Sequence, residues 1–214
     1  MRCSMNTEEL IHALVVDGSR PVIPIGRTLL RAFGVAFVLA GLSLYVLHPR
    51  VDIVPAFSTG PFVFKVILML VLTGTSIVAF LDTARPLSAR RRLLTPILAL
   101  LLLTGGVLVE LLTVPSQAWP ARLVGHNAAH CLALIPLISL APLACLLIAL
   151  RRGAPRHPTL AGALAGLLAG AVGATVYALT CPDDSPLFIA AWYSVALAIV
   201  TTTSAAVGKR LLRW

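Results

Sequence analysis

Residues 159–207 read TLAGALAGLLAGAVGATVYALT, then CPDDSP, then LFIAAWYSVALAIVTTTSAAV. The two flanking segments contain no Asp, Glu, Lys or Arg. Each has the length, about 20 residues, at which an α-helix crosses the hydrocarbon of a bilayer. The six residues between them carry a cysteine, two acids and two prolines, and proline ends one helix as readily as it starts the next. A chain built this way is an integral membrane protein.

The rest of the sequence repeats the pattern. Of 214 residues, 58% are hydrophobic and 12% charged, and the mean hydropathy of +0.95 lies far above that of soluble domains. Apolar runs predict spans at about 28–47, 62–81, 94–113, 130–150, 159–180 and 187–207. They leave a cytoplasmic head at 1–27 and a basic tail at 208–214. The expected fold is all-α: a polytopic bundle of six transmembrane helices in three hairpins. Of the 17 Lys and Arg residues, only Arg50, Lys65 and Arg122 fall on one side of this arrangement. Short loops rich in Lys and Arg stay in the cytoplasm, so both termini are expected there, with loops 48–61, 114–129 and 181–186 outside.

The net charge of +9 is spread over loop flanks, with no basic face interleaved with aromatics, which argues against direct nucleic-acid binding. The polar head precedes a first apolar run too long for a signal-peptide core, so the head reads as retained. It contains NTEELIHALVVD, in which Asn6 and Glu9 have capping-box spacing. Leu10, Ile11, Leu14 and Val15 then form one apolar stripe. A helix this short needs a surface to rest on: the lipid bilayer interface is one, and a protein groove, favoured by Glu8, Glu9 and Asp17, is the other.

The four cysteines sort by depth. Cys3 is in the head and Cys145 near the inner end of the fourth span. Cys131 opens that span at its outer end, and Cys181 follows the fifth span at its outer end. The tight turn 151–158 lies midway between them, so an antiparallel hairpin returns Cys181 to the height of Cys131. Neighbouring helix axes are about 8–10 Å apart and a disulfide needs Cα atoms within roughly 7 Å, a gap that irregular backbone at Pro182 can close. Two readings stay open: a plain disulfide between the fourth and fifth helices, or a thiol pair that binds soft metals or changes redox state, with His126, His130, Asp183 and Asp184 as neighbouring donors. In the fifth span, Gly162, Gly166 and Gly170 lie four apart, a stripe suited to packing within the chain or to dimerisation. Glu110, close to the outer end of its span, is expected to reach the headgroups.

The run from His130 to the closing GKRLLRW, with CPDDSP and the pair Trp192-Tyr193 as its most specific parts, resembles the NrsF-type family of six-span inner-membrane anti-sigma factors. The head helix and the Arg-rich inner turns extend the resemblance over the chain. It implies a protein of the bacterial inner membrane that holds an extracytoplasmic-function sigma factor on the cytoplasmic side. No enzyme activity and no cofactor are implied. Cys131 and Cys181 match the family's paired outer cysteines and carry the sensing of heavy-metal or thiol-redox stress; the tentative metal set is Cys131, Cys181, His130, Asp183 and Asp184. Leu10, Ile11, Leu14 and Val15 become the tentative partner-binding residues. Where many relatives have His before the second cysteine, this chain has Thr180, which weakens the metal reading more than the thiol switch.

Two other classes use the same features. A membrane thiol–disulfide oxidoreductase also needs thiols near the outer surface, but Cys3 and Cys145 are badly placed as a second pair. A small-solute transporter calls for ionisable groups at mid-membrane, whereas Lys65, Asp82 and Glu110 sit near span ends. The topology is directly testable: reporter fusions after Trp214 and near Arg20 should report cytoplasm and one after Asp184 periplasm. An external C-terminus would refute six spans.

Overall fold

Apolar runs bounded by Pro, Gly and charge become six long helices in the computed structural model: α1 (Ile25–Leu47), α2 (Gly60–Leu81), α3 (Ala89–Thr113), α4 (Ala128–Arg151), α5 (Pro158–Ala178) and α6 (Pro186–Leu211). The structure describes residues 25–81, 89–151 and 157–212, with Glu8 and Pro155. Among the described residues no strand occurs. Pro158 and Pro186 open α5 and α6 at the position where a missing N–H is harmless. His48, with φ 57, ends α1 in the left-handed conformation that stops a helix. Short helices at Ile53–Ala56 and Trp119–Val124 fold two of the loops back onto the bundle.

Four of these helices, α2, α4, α5 and α6, are long and apolar enough to cross a membrane. The apolar parts of the other two are shorter, Gly34–Leu47 in α1 and Ile97–Thr113 in α3. Within α6, residues Ile189–Tyr193 form a π-helical turn, a one-residue widening common where a helix is shaped around a site.

The bundle is built around α5, of which 67% is buried against 33% to 39% for the other three spans. It packs against α1, α2, α4 and α6, and its composition explains why. A Cβ added at Gly162 would stand 2.6 Å from the Ser204 carbonyl oxygen of α6, and one at Gly166 would stand 2.5 Å from the Ser204 Cβ. On another face, one at Gly173 would meet the Ser139 hydroxyl of α4 at 2.4 Å. Small residues let backbones approach where no hydrophobic effect drives helices together. The glycine stripe therefore packs α6 within the chain, the first of the two uses its spacing allowed.

The expected hairpin arrangement needs correction at two places. Sequential neighbours α2 and α3, α4 and α5, and α5 and α6 do pack together, but α1 lies chiefly on α4, with further contact to α5, rather than on α2, and α3 lies on α2 and the start of α6 rather than on α4. Its buried Ala36 and Ala40, one helical turn apart, give it a narrow face.

Filling the α5–α6 contact should be costly. Gly166→Val should lower the unfolding free energy in detergent by about 1–3 kcal/mol. Gly74→Ala, at a position with nothing within 4 Å of the added carbon, should be neutral or stabilise by up to about 1 kcal/mol. Equal effects from the two would contradict the packing described.

Candidate functional site

Three connecting segments, 48–59, 114–127 and 179–185, meet at one end of the bundle, and CPDDSP is their centre. After α5 the amides of Thr180 and Cys181 still close on the Tyr177 carbonyl, at 3.0 and 2.9 Å. Pro182 then stops the helix, and Ser185, in extended conformation, leads into Pro186. The freed chain turns its carbonyls and carboxylates towards the neighbouring elements.

Lys65, in the second turn of α2, is 0% exposed. Its ammonium donates to the carbonyl oxygens of Cys181 at 2.8 Å and Asp183 at 3.2 Å and pairs with the Asp184 carboxylate. From the segment after α1, Arg50 reaches the other Asp184 oxygen at 2.8 Å and forks onto Asp52 at 2.7 and 2.6 Å. Both cations also lie over the Phe62 ring, 5.3 and 5.6 Å from its centroid. The Arg50 guanidinium holds the Asp52 carboxyl at about 2, below its ordinary 3.8. A depressed carboxyl contributes stability above its unfolded value and loses it on acidification. The contribution of Asp52 is thus present above about pH 4 and lost as pH falls through about 2.

The other loop residues are held just as specifically. Asp183 accepts from the main-chain N–H groups of His126 at 3.1 Å and Asn127 at 2.9 Å, and from the Asn127 side chain at 3.0 Å. This places a carboxylate at the N-terminal end of α4, where the helix dipole favours it. Gly125, with φ 59, is needed here because a Cβ would strike the Phe188 ring at 2.5 Å. Glu110 of α3, 5% exposed, accepts from the Ser185 hydroxyl at 2.8 Å, the Leu187 N–H at 2.8 Å and Arg122 at 2.9 Å. Glu110 is therefore turned into the protein, not out to headgroups as its place near a span end suggested; three donors of the opposing loops draw it inward. The Trp192 indole donates to the Leu123 carbonyl at 2.8 Å.

Cys131 and Cys181 are both buried free thiols in one cluster with Tyr177 and Tyr193. Burial pushes the Cys181 thiol above its ordinary value, partly opposed by the Lys65 ammonium. A thiol held protonated in this way is a weak nucleophile. Tyr193, on the π-helical turn, packs its ring on Tyr177 at 5.8 Å and Phe188 at 6.2 Å, and its buried hydroxyl has no hydrogen-bond partner among the described residues. Cys145 is a free thiol, half-buried further along α4.

The structure buries both expected cysteines, one in the first turn of α4 and one at the exit of α5, but does not assemble the five-residue metal set. His130 is exposed, Asp183 and Asp184 are taken by N–H donors and cations, and among the described residues no group of three or more His, Cys, Asp or Glu is placed to hold a metal ion. Thr180 turns its hydroxyl back to the Tyr177 carbonyl at 3.0 Å. Leu10, Ile11, Leu14 and Val15 lie outside the described residues. Sequence reasoning had located Lys65, Arg50 and Glu110 only as charges near span ends. Their signal was the match between those charges and the loop: the Asp184 carboxylate facing two cations, and the Ser185 hydroxyl facing an acid.

Residues 16–214 match a family model described as NrsF, negative regulator of sigma F. The chain is 32% identical to the anti-sigma-F factor NrsF of Caulobacter vibrioides and 31% identical to the probable anti-sigma-F factor NrsF of Azospira oryzae. Each match covers 98% of this chain and 100% of the relative. No solved structure matches.

Glu110→Ala leaves the Ser185 hydroxyl and the Leu187 N–H without their acceptor. It should destabilise the protein by about 1–3 kcal/mol, read from the fluorescence of nearby Trp119 and Trp192 during unfolding. Glu110→Gln, which keeps an acceptor oxygen, should cost clearly less.

Proposed function

The chain belongs to the NrsF family, and from that premise we propose that it is a multi-pass inner-membrane anti-sigma factor. It holds an extracytoplasmic-function sigma factor at the cytoplasmic face and releases it when Cys131 and Cys181 react. The head stripe Leu10, Ile11, Leu14 and Val15 is the proposed grip on the sigma factor, and the spans anchor that grip in the bilayer. No catalytic step is assigned.

The observation that carries the sensing half is the shared burial of two free thiols beside a loop that ties the bundle end together. A soft metal ion bridging two thiolates, or an oxidant joining them as a disulfide, changes the geometry of that loop. Chemistry at one small site then has several helices to act on. Converting a bundle from mostly holding to mostly releasing needs about 5.5 kcal/mol of differential interaction, within reach of a dithiolate chelate or a new covalent bond. With the carboxylates already engaged and His130 exposed, the proposed ligands reduce to the two sulfurs, which favours soft metals over hard ones.

One capture experiment from membranes tests both halves. The unsubstituted protein should bring down a sigma factor, and Leu10, Ile11 and Leu14 changed together to Asp should bring down much less while remaining in the membrane. Cys131→Ser, Cys181→Ser and the double change should abolish cadmium-triggered release to the same degree, because removing either member breaks the pair. Absence of a sigma factor from the wild-type capture would sink the regulator reading; additive effects of the two cysteines would sink the paired switch alone.

A further inference from the structure

Lys65 belongs to α2, yet what it holds belongs to the chain carrying Cys181. An ammonium has three N–H donors and no acceptor; here they face the Cys181 carbonyl, the Asp183 carbonyl and the Asp184 carboxylate. The other side-chain struts from outside the loop act on residues after Cys181, Glu110 on Ser185 and Leu187, Asn127 on Asp183 and Arg50 on Asp184, while the Arg50 N–H holds the Leu179 carbonyl before it at 3.3 Å. Among the described side chains, Lys65 is the one that bonds the main-chain carbonyl of a sensing cysteine. A fully buried charge tolerates loss of its partners poorly, so a displaced Cys181 either stays tethered or takes α2 with it.

A second polar attachment of α2 lies eight residues further on, about 12 Å by helical rise. There the Thr73 and Thr175 hydroxyls meet at 3.0 Å, and Thr175 lies 3.4 Å from the Met69 carbonyl. α2 packs on α3 and α5, in its first half with the Phe64 ring against Gly106 of α3, and before Thr73 its polar hold on the loop is Lys65.

We propose that Lys65 is the positioning residue that passes a change at Cys181 to α2, which then tilts about its attachment at Thr73 and Thr175. The proposal rests on the thiol-sensing reading above and adds the route by which the signal leaves the pocket. α2 ends at Leu81, and that reading puts the Arg-rich sequence that follows it on the sigma-factor side.

The test uses the full chain in lipid nanodiscs with its sigma factor bound and with Cys3 and Cys145 changed to Ser. The remaining thiols are modified with methyl methanethiosulfonate, stoichiometry is confirmed by intact mass, and amide hydrogen exchange and sigma retention are read on the same sample. Modification should speed exchange of amides 60–72 at least tenfold (on the order of a sub-global opening) and release the sigma factor. In Lys65→Met both thiols should be modified with no further change in either readout. The pair Lys65→Met with Asp184→Leu, which leaves neither charge buried alone, is carried in parallel in case the single change fails to fold, and should be equally deaf. Ser185→Ala cuts a different strut of the same loop and should still respond fully, a result that general loosening does not give. If both Lys65 variants respond like the parent, or Ser185→Ala is as deaf as they are, the inference is overturned. If the parent modifies fully but keeps its sigma factor, the thiol-sensing reading falls and this inference with it.

Discussion

A lysine ammonium with no exposed surface, set in an otherwise apolar helix, is the most demanding group at this end of the protein. Removing a charge from water carries a penalty of several kcal/mol unless oppositely charged or carbonyl oxygens replace the solvent. Lys65 finds these only because CPDDSP leaves the helix at Pro182 and lends it two main-chain carbonyls and one carboxylate. Once Asp184 is fixed by Lys65, its second oxygen is free for Arg50, which brings in the segment after α1. Asp183, next in the chain, then faces the N-terminal end of α4, and Ser185 faces Glu110. The loop is in this sense a consequence of one buried cation and its neutralisation.

The same end of the molecule houses the thiols, and the two facts are connected through α5. Its small residues let α4 and α6 approach closely, and the first turn of α4, with Cys131, and the exit of α5, with Cys181, are both buried in the core they form. Bulkier residues along α5 would push the helices apart and separate the sulfurs before any chemistry changed. The proximity of the pair is thus a property of glycine and alanine many residues away, while the stiffness of the backbone at Cys181 is a property of Lys65.

The positions and ends of the long helices, and the return of Cys181 to the end of the bundle that holds Cys131, were legible in the sequence because each follows from local features: apolar length, proline and glycine punctuation, and the symmetry of a tight turn. The direction in which a charge near a span end points is not local. Glu110 reads equally well as a headgroup contact and as a buried acceptor until the position of Ser185, Leu187 and Arg122 is known. Asp183 and Asp184 look like free metal donors when only their neighbours in sequence are counted. Main-chain N–H groups from one segment and cations from two others claim them, and none of those partners is adjacent in the chain. The seat of α1 on α4 was hidden for the same reason, since the faces of α5 that arrange the others say nothing about which groove remains for the first helix.

The close approach of α5 and α6 also bears on how the response depends on dose. Gly162 faces Gly208 and Gly166 faces Ser204 across that contact, so the glycine surface suited to joining two copies of the chain is consumed inside one copy. Two thiol pairs in separate copies then have no shared glycine interface through which one could inform the other. On the proposed thiol-sensing function, each molecule then counts its own chemical event through this surface, and the fraction of sigma factor set free should rise hyperbolically with the stimulus, so that a sharp threshold would have to arise downstream of the membrane.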